Sequence, residues 1–263
     1  MNVPETNLFT DGKAYERLMG RWSQVVGVKF LDWLGAPKGL RWIDVGCGNG
    51  AFTEVLIARA APAAVTGIDP SPDQIDYAQK RPGTKLAQFR VGGAQALPFD
   101  DNSFDAASMA LVITFVPDPL KAAQEMARVV KPGGWAATYM WDIPAGGIPS
   151  VPISAAMKSL GIDAPNPPGV EASRRENMHA VWQKAGLQSV ETEVIRIPVV
   201  FANFDDFSDS MMQPVGPRGK ALLALSPSEH EQLKARLREQ VSVASDGRIA
   251  YEAFANAVKG RAP

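Results

Sequence analysis

Trp42-Ile43-Asp44-Val45-Gly46-Cys47-Gly48-Asn49-Gly50, followed by Thr66-Gly67-Ile68-Asp69, is the stretch whose reading decides the fold. An apolar run breaks into three alternating glycines and passes into a segment of helical spacing. The next apolar run ends on a carboxylate 19 residues after Gly50. Glycines at such a strand-to-helix turn let the backbone bend sharply and approach a ligand. An acid ending the following strand suits the hydroxyls of a ribose. The pattern points to a parallel α/β protein that holds a nucleoside-bearing cofactor, and leaves the reaction partner undefined.

Outward from this stretch, residues 14–34 have the three- and four-residue apolar spacing of an amphipathic helix, through Leu18, Trp22, Val26 and Phe30. Strands are expected at 41–45, 64–69, about 86–91, 105–112 and 135–141. Ser71-Pro72-Asp73-Gln74, Asp118-Pro119 and Ser226-Pro227-Ser228-Glu229 have the form of helix starts, an oxygen-bearing cap followed by proline at the first helical position. Strands alternating with helices imply a mostly parallel sheet with helices on both faces and right-handed crossovers. After residue 142 the texture changes. Residues 143–170 are rich in Pro and Gly with one short helical stretch, Ile153–Leu160. A helix at 173–185 and a strand at 189–201 return the chain to the sheet, 203–224 reads as irregular, and a helix to about 241 precedes a last strand at about 248–258. One domain is expected over 1–263, with its core at about 36–142, 172–202 and 225–260, and with 143–170 and 203–224 folded over its mouth as a partial cap.

Composition narrows the function classes. The chain has 263 residues, 46% hydrophobic and 21% charged, with 27 basic and 28 acidic side chains. Such a balance supplies no field to gather nucleic acid or anionic lipid. No uncharged apolar run reaches the roughly 20 residues of a membrane helix, and Met1–Thr6 lack the pattern of a signal peptide. A cytoplasmic monomer or homodimer is the expectation. One cysteine and two histidines, His179 and His230, argue against a transition-metal site. Asp205, Asp206 and Asp209 read as a solvated loop rather than a magnesium site.

Gly46–Ala51 also fits the dinucleotide pattern G-x-G-x-x-G/A, which keeps a nicotinamide oxidoreductase open as an alternative. Asp44 weighs against it, because a carboxylate two residues before the first glycine repels a pyrophosphate and attracts an ammonium. Ala94-Gln95-Ala96-Leu97-Pro98-Phe99, Asp101-Asn102-Ser103-Phe104-Asp105, Val116-Pro117-Asp118-Pro119 and Arg128-Val129-Val130-Lys131-Pro132-Gly133-Gly134 then follow in order. On these motifs the chain resembles the class I S-adenosylmethionine-dependent methyltransferases, in particular the bacterial small-molecule group around ubiquinone and menaquinone biosynthesis. The resemblance covers about residues 12–142; the final third is similar in layout only.

The resemblance implies a Rossmann-like class I methyltransferase fold with a seven-stranded sheet, S-adenosylmethionine as cofactor, S-adenosylhomocysteine as product and a small-molecule acceptor. It implies that Gly46, Cys47, Gly48 and Gly50 line the methionine and ribose, and that Asp44 takes the methionine amino group directly or through water. Asp69 would accept both ribose hydroxyls, with Pro70 and Ser71 flanking the adenine. Ala94 and Gln95 match the residues at the adenine edge, and Gly93 stands where the family often has an aspartate. Met109 and Ala110 match the segment lining the sulfonium, and Arg21 with Tyr15 matches the pair that closes over the methionine carboxylate. In-line transfer from a sulfonium needs alignment and desolvation more than a catalytic group. Tyr139 and Asp142, at the end of the fifth strand, are the candidates if a proton must move. A cofactor-binding protein with lost or different chemistry is the remaining alternative.

Overall fold

The computed structural model describes residues 16–163, 165–216 and 218–263. Tyr15, and the first two residues of the expected 14–34 helix, lie outside the described residues. A π-helical turn, Glu16–Gly20, leads into α1 (Arg21–Leu34), which ends on Gly35 in the left-handed conformation. There follow β1 (Arg41–Val45), α2 (Ala51–Ala60), β2 (Ala64–Asp69), α3 (Pro72–Lys80), β3 (Ala87–Val91), β4 (Phe104–Ala110), α4 (Pro119–Val129) and β5 (Val130–Trp141). The remainder comprises α5 (Val151–Ser159), α6 (Arg175–Lys184), β6 (Gln188–Phe201), α7 (Phe204–Met211), α8 (Gly219–Leu223), α9 (Pro227–Gln240) and β7 (Ile249–Arg261).

Seven strands form one sheet in the order β3-β2-β1-β4-β5-β7-β6. The first five are parallel, while β7 runs antiparallel to both β5 and β6. The order reverses between β1 and β4, and the carboxyl edge beside that reversal is where open α/β sheets bind ligands. The central strands are apolar on both faces because helices cover both. In β1, Trp42 enters the layer under α1 and α2, and its neighbour Ile43 enters the layer under α4 and α6.

All three expected helix starts form. Ser71 Oγ accepts from Gln74 N, Asp118 from Lys121 N, and Ser226 makes a reciprocal capping box with Glu229. Three boundaries differ from expectation. β5 begins at Val130, because Lys131-Pro132-Gly133-Gly134 bulges within the strand, the register stepping from Phe104↔Val130 to Ala106↔Trp135. β7 continues to Arg261 against both neighbours. Residues 203–224 contain two helices rather than irregular chain. Asn203 caps α7 by accepting from Asp206 N, and Phe204, Phe207 and Met211 bury one face at helical spacing. The helix is only eight residues long, too brief for its period to stand out between Pro- and Gly-bearing flanks.

Candidate cofactor crevice and adjoining cavity

The turn after β1 is built on backbone angles that side chains resist. Gly46, Gly48 and Gly50 have φ of 72°, 51° and 79°. A Cβ on Gly46 would lie 2.7 Å from both methyls of Val112, so the turn sits directly against the segment following β4. Gly46 N and Cys47 N both donate to Ile68 O, at 2.7 and 3.0 Å, which pins the turn to β2. Gly50 N donates to Cys47 O and Ala51 N to Asn49 Oδ1. Cys47 turns its thiol into the packing behind the turn. Its Sγ lies 2.9 Å from where a Cβ on Gly67 would be. Burial first, then the charges of Asp44 and Asp69, push this thiol well above its ordinary pKa. The buried thiol packs behind the turn and lacks a nucleophile's character.

Asp69 ends β2 and faces the turn. Its Oδ2 accepts from Gly48 N and its Oδ1 from Ser71 N, each at 2.9 Å. Each oxygen keeps a further acceptor site, the arrangement a vicinal diol requires. Burial raises its pKa and the two N–H donors oppose that rise. Asp44 is sealed beneath the turn. Thr53 Oγ1 donates to its Oδ2 at 2.6 Å, and its Oδ1 is buried with no hydrogen-bond partner. Desolvation is the main cause that pushes the Asp44 carboxyl up to about 7; the Asp69 charge adds to the rise, while Thr53 and Ser108 oppose it. Among the described residues neither acid has a lysine or arginine in ion-pair range. Two acids around a glycine turn, one with an orphaned oxygen, fit a cationic ligand carrying a sugar.

The other expected cofactor residues are distributed around this centre. Ser71 is half-buried and spends its hydroxyl as the α3 cap, with Pro70 exposed beside it. Ala94 and Gln95 are half-buried after β3. Gly93 has no positive φ, and a Cβ there would meet nothing within 4 Å. Met109 is fully buried in the sheet layer and its carbonyl accepts from Thr138 Oγ1, whereas Ala110 is half-buried at the strand end. Leu111, which follows, has φ of 60°, and its N–H donates to Tyr139 O. A bulky residue held in that region marks a turn imposed by its surroundings, and nothing in the sequence signals it.

Three expected residues have other partners. Arg21 faces Asp206 of α7, with Nη2 to Oδ1 at 3.3 Å, and stacks over Trp22 and Phe201. Tyr139 is buried in the layer beneath α1, its ring 4.6 Å from Phe30 and 5.7 Å from Phe52 between centroids. Asp142 fastens a loop: Oδ1 accepts from Ala145 N and Oδ2 from Asn256 Nδ2. Neither Tyr139 nor Asp142 is placed as a free acid or base. Asp205 and Asp206 pair with Lys234 and Arg21, and among the described residues no group of three potential metal ligands occurs.

Beyond the carboxyl ends of β4 and β5 lies a cavity of about 100 Å³, walled by Leu18, Met19, Phe115, Met140, Ile143 and Ile148. Ser150, Ser154, Asn166 and Arg218 supply its polar lining. Arg218 is only 9% exposed and donates from Nη1 to Ser150 Oγ at 2.8 Å; its Nε and Nη2 are buried without partners. Sequence reasoning misses Arg218 and Ser150. The only signal available, an arginine inside Pro214-Val215-Gly216-Pro217-Arg218-Gly219, says loop and no more.

Residues 43–138 match the family described as methyltransferase domain. A demethylmenaquinone methyltransferase of Staphylococcus aureus is 39% identical over 103 residues, which is 38% of this chain and 43% of that protein. The chain thus spans less than half the length of the curated relatives it matches. Phosphoethanolamine N-methyltransferase 2 of Haemonchus contortus, solved with S-adenosyl-L-methionine, superposes with a TM-score of 0.59 at 19% identity, covering 100% of this chain and 61% of that one. The YcgJ protein of Bacillus subtilis superposes at 0.58 and 18%, covering 92% and 98%. These two likenesses are likenesses of fold.

Proposed function

With residues 43–138 belonging to the S-adenosylmethionine-dependent methyltransferase family, we propose that this protein transfers a methyl group from S-adenosylmethionine to a small-molecule acceptor. The observation that carries this reading is the pair Asp44 and Asp69, two buried acids around the glycine turn that no basic side chain among the described residues offsets. A cation bound there relieves their mutual repulsion, whereas a dinucleotide's pyrophosphate would add to it. The donors tell the same story. The N–H groups of Gly46, Cys47, Gly48, Gly50 and Ala51 are spent on Ile68 O, Asp69, Cys47 O and Asn49. They do not form the open amide cradle that phosphates use at a helix start. This disfavours the nicotinamide alternative.

The bound cofactor supplies a methyl on a sulfonium, already electrophilic. Asp69 would hold the ribose hydroxyls, and Asp44 would act on the ammonium through the turn or a water, its own atoms being sealed below. Gly93, Ala94 and Gln95 border the adenine. Val112 packs on Gly46, and Leu111 is turned at φ 60°, so the segment after β4 is held against the glycine turn. The chain aligns the reactants and excludes water from them. The family match ends at residue 138, before the cap.

Calorimetric titration with S-adenosylmethionine tests the reading. Micromolar binding is expected in the wild type, weakened at least about 50-fold in Asp69→Ala through loss of charge-assisted hydrogen bonds. Unaltered binding in that variant would overturn it.

A further inference from the structure

Arg218 is the one buried cation of the cavity wall, and the protein leaves it half used. Its side chain is 9% exposed, Nη1 bonds Ser150 Oγ, and no carboxylate among the described residues pairs with it. The unpartnered atoms are Nε and Nη2, the adjacent edge whose spacing matches the two oxygens of a carboxylate. We propose that Arg218 is a specificity-determining residue that anchors the carboxylate of an acidic acceptor, whose apolar body lies against Leu18, Phe115, Met140 and Ile148.

Several observations support this. Buried polar groups are normally satisfied, and a buried, unpaired guanidinium is a rare expense that a ligand anion would offset. Burial depresses the Arg218 pKa to about 10. Yet the side chain is still cationic at neutral pH. The nearby Tyr251 hydroxyl is committed to Pro149 O at 2.6 Å, so it supplies no anion. The remaining lining is apolar apart from Ser154 and Asn166, which describes a small amphiphile with one charged end. The cavity includes no residue of the glycine turn, and loss of cofactor affinity on changing Arg218 is the result that would separate an acceptor's anion from the cofactor's own carboxylate. The inference rests on the proposed transfer only for the word acceptor; the anion site stands by itself.

The experiment uses acetate, butanoate, hexanoate and benzoate, each beside its neutral amide, titrated calorimetrically into the full chain with and without S-adenosylmethionine. At least one acid is expected to bind ten-fold or more tightly than its amide. That preference should vanish in Arg218→Met, which fills the same space without charge, while cofactor affinity stays within two-fold. Equal binding of acid and amide, no binding of any acid to 10 mM, or a preference that survives in Arg218→Met would overturn the proposal. So would loss of cofactor affinity in Arg218→Met, which would assign the guanidinium to the cofactor. The wild-type comparison stands even where the variant fails to fold. Failure of S-adenosylmethionine to bind the wild type is the separate failure of the proposed function.

Discussion

Replacing Asp44 with asparagine should make the protein more stable and worse at holding its cofactor. The folded carboxyl is pushed up to about 7 from an ordinary 3.8, chiefly by desolvation. Between those values the folded state holds a proton that the unfolded state has released, so stability falls as pH rises through this window. The full cost stands above pH 7. Three pKa units correspond to about 4 kcal/mol, an upper bound for what an uncharged side chain recovers. Asparagine keeps the shape and can still meet the Thr53 hydroxyl. The gain over wild type should therefore grow by about 2–3 kcal/mol from pH 5 to pH 8. Urea unfolding at both pH values reads it directly. Cofactor affinity should move the other way. In the wild type it should strengthen as pH rises toward 7, since a cation selects the ionised acid, and Asp44→Asn should lose that dependence. A variant no more stable than wild type at pH 8, or a difference that is flat with pH, would refute the reasoning.

Other outcomes follow from the same geometry. Gly46→Ala combines a left-handed backbone with a Cβ 2.7 Å from the Val112 methyls; a loss of about 2–4 kcal/mol is expected in thermal unfolding, and a change under 0.5 kcal/mol would contradict it. Gly93→Asp meets open space at an unstrained backbone, so stability should stay within about 0.5 kcal/mol. If adenine lies beside it, the dissociation constant should fall about three- to ten-fold by gain of one hydrogen bond. Cys47 should resist thiol reagents at pH 8 in the native chain and react on unfolding, its pKa being raised by burial; rapid native labelling would show the turn to be open.

What could be read from the sequence is what neighbours in sequence decide. The glycine turn and the caps at Ser71, Asp118 and Ser226 depend on residues within a few positions of one another, and all form. The side-chain partners of the outer site are set over long separations. Arg21 meets Asp206 across 185 positions, Asp142 meets Asn256 across 114, and Arg218 meets Ser150 across 68. No local pattern encodes such pairings, which is why neither the tie of Asp142 to Asn256 nor the burial of Arg218 against Ser150 is legible in the sequence. Tyr139 illustrates a second limit. Alternation along a strand assigns a side to each residue, but both sides of a central strand are buried, so a polar tip near the strand end reads the same whether it meets ligand or Phe30.

β7 follows every other strand in sequence, yet it lies between β5 and β6 and is the one strand β6 pairs with in the sheet. Until residues 249–261 arrive, a growing chain can assemble only the five parallel strands, and the long β6, which buries only alternate residues of its second half, has no neighbour to zip against. Closure therefore waits on contacts between segments far apart along the chain, the circumstance that slows folding and leaves strand edges exposed to aggregation. The same late insertion brings Asn256 to Asp142 and so fastens the loop beside the Arg218 cavity. A chain halted before β7 would carry the glycine turn and its two acids with the loop after β5 unmoored.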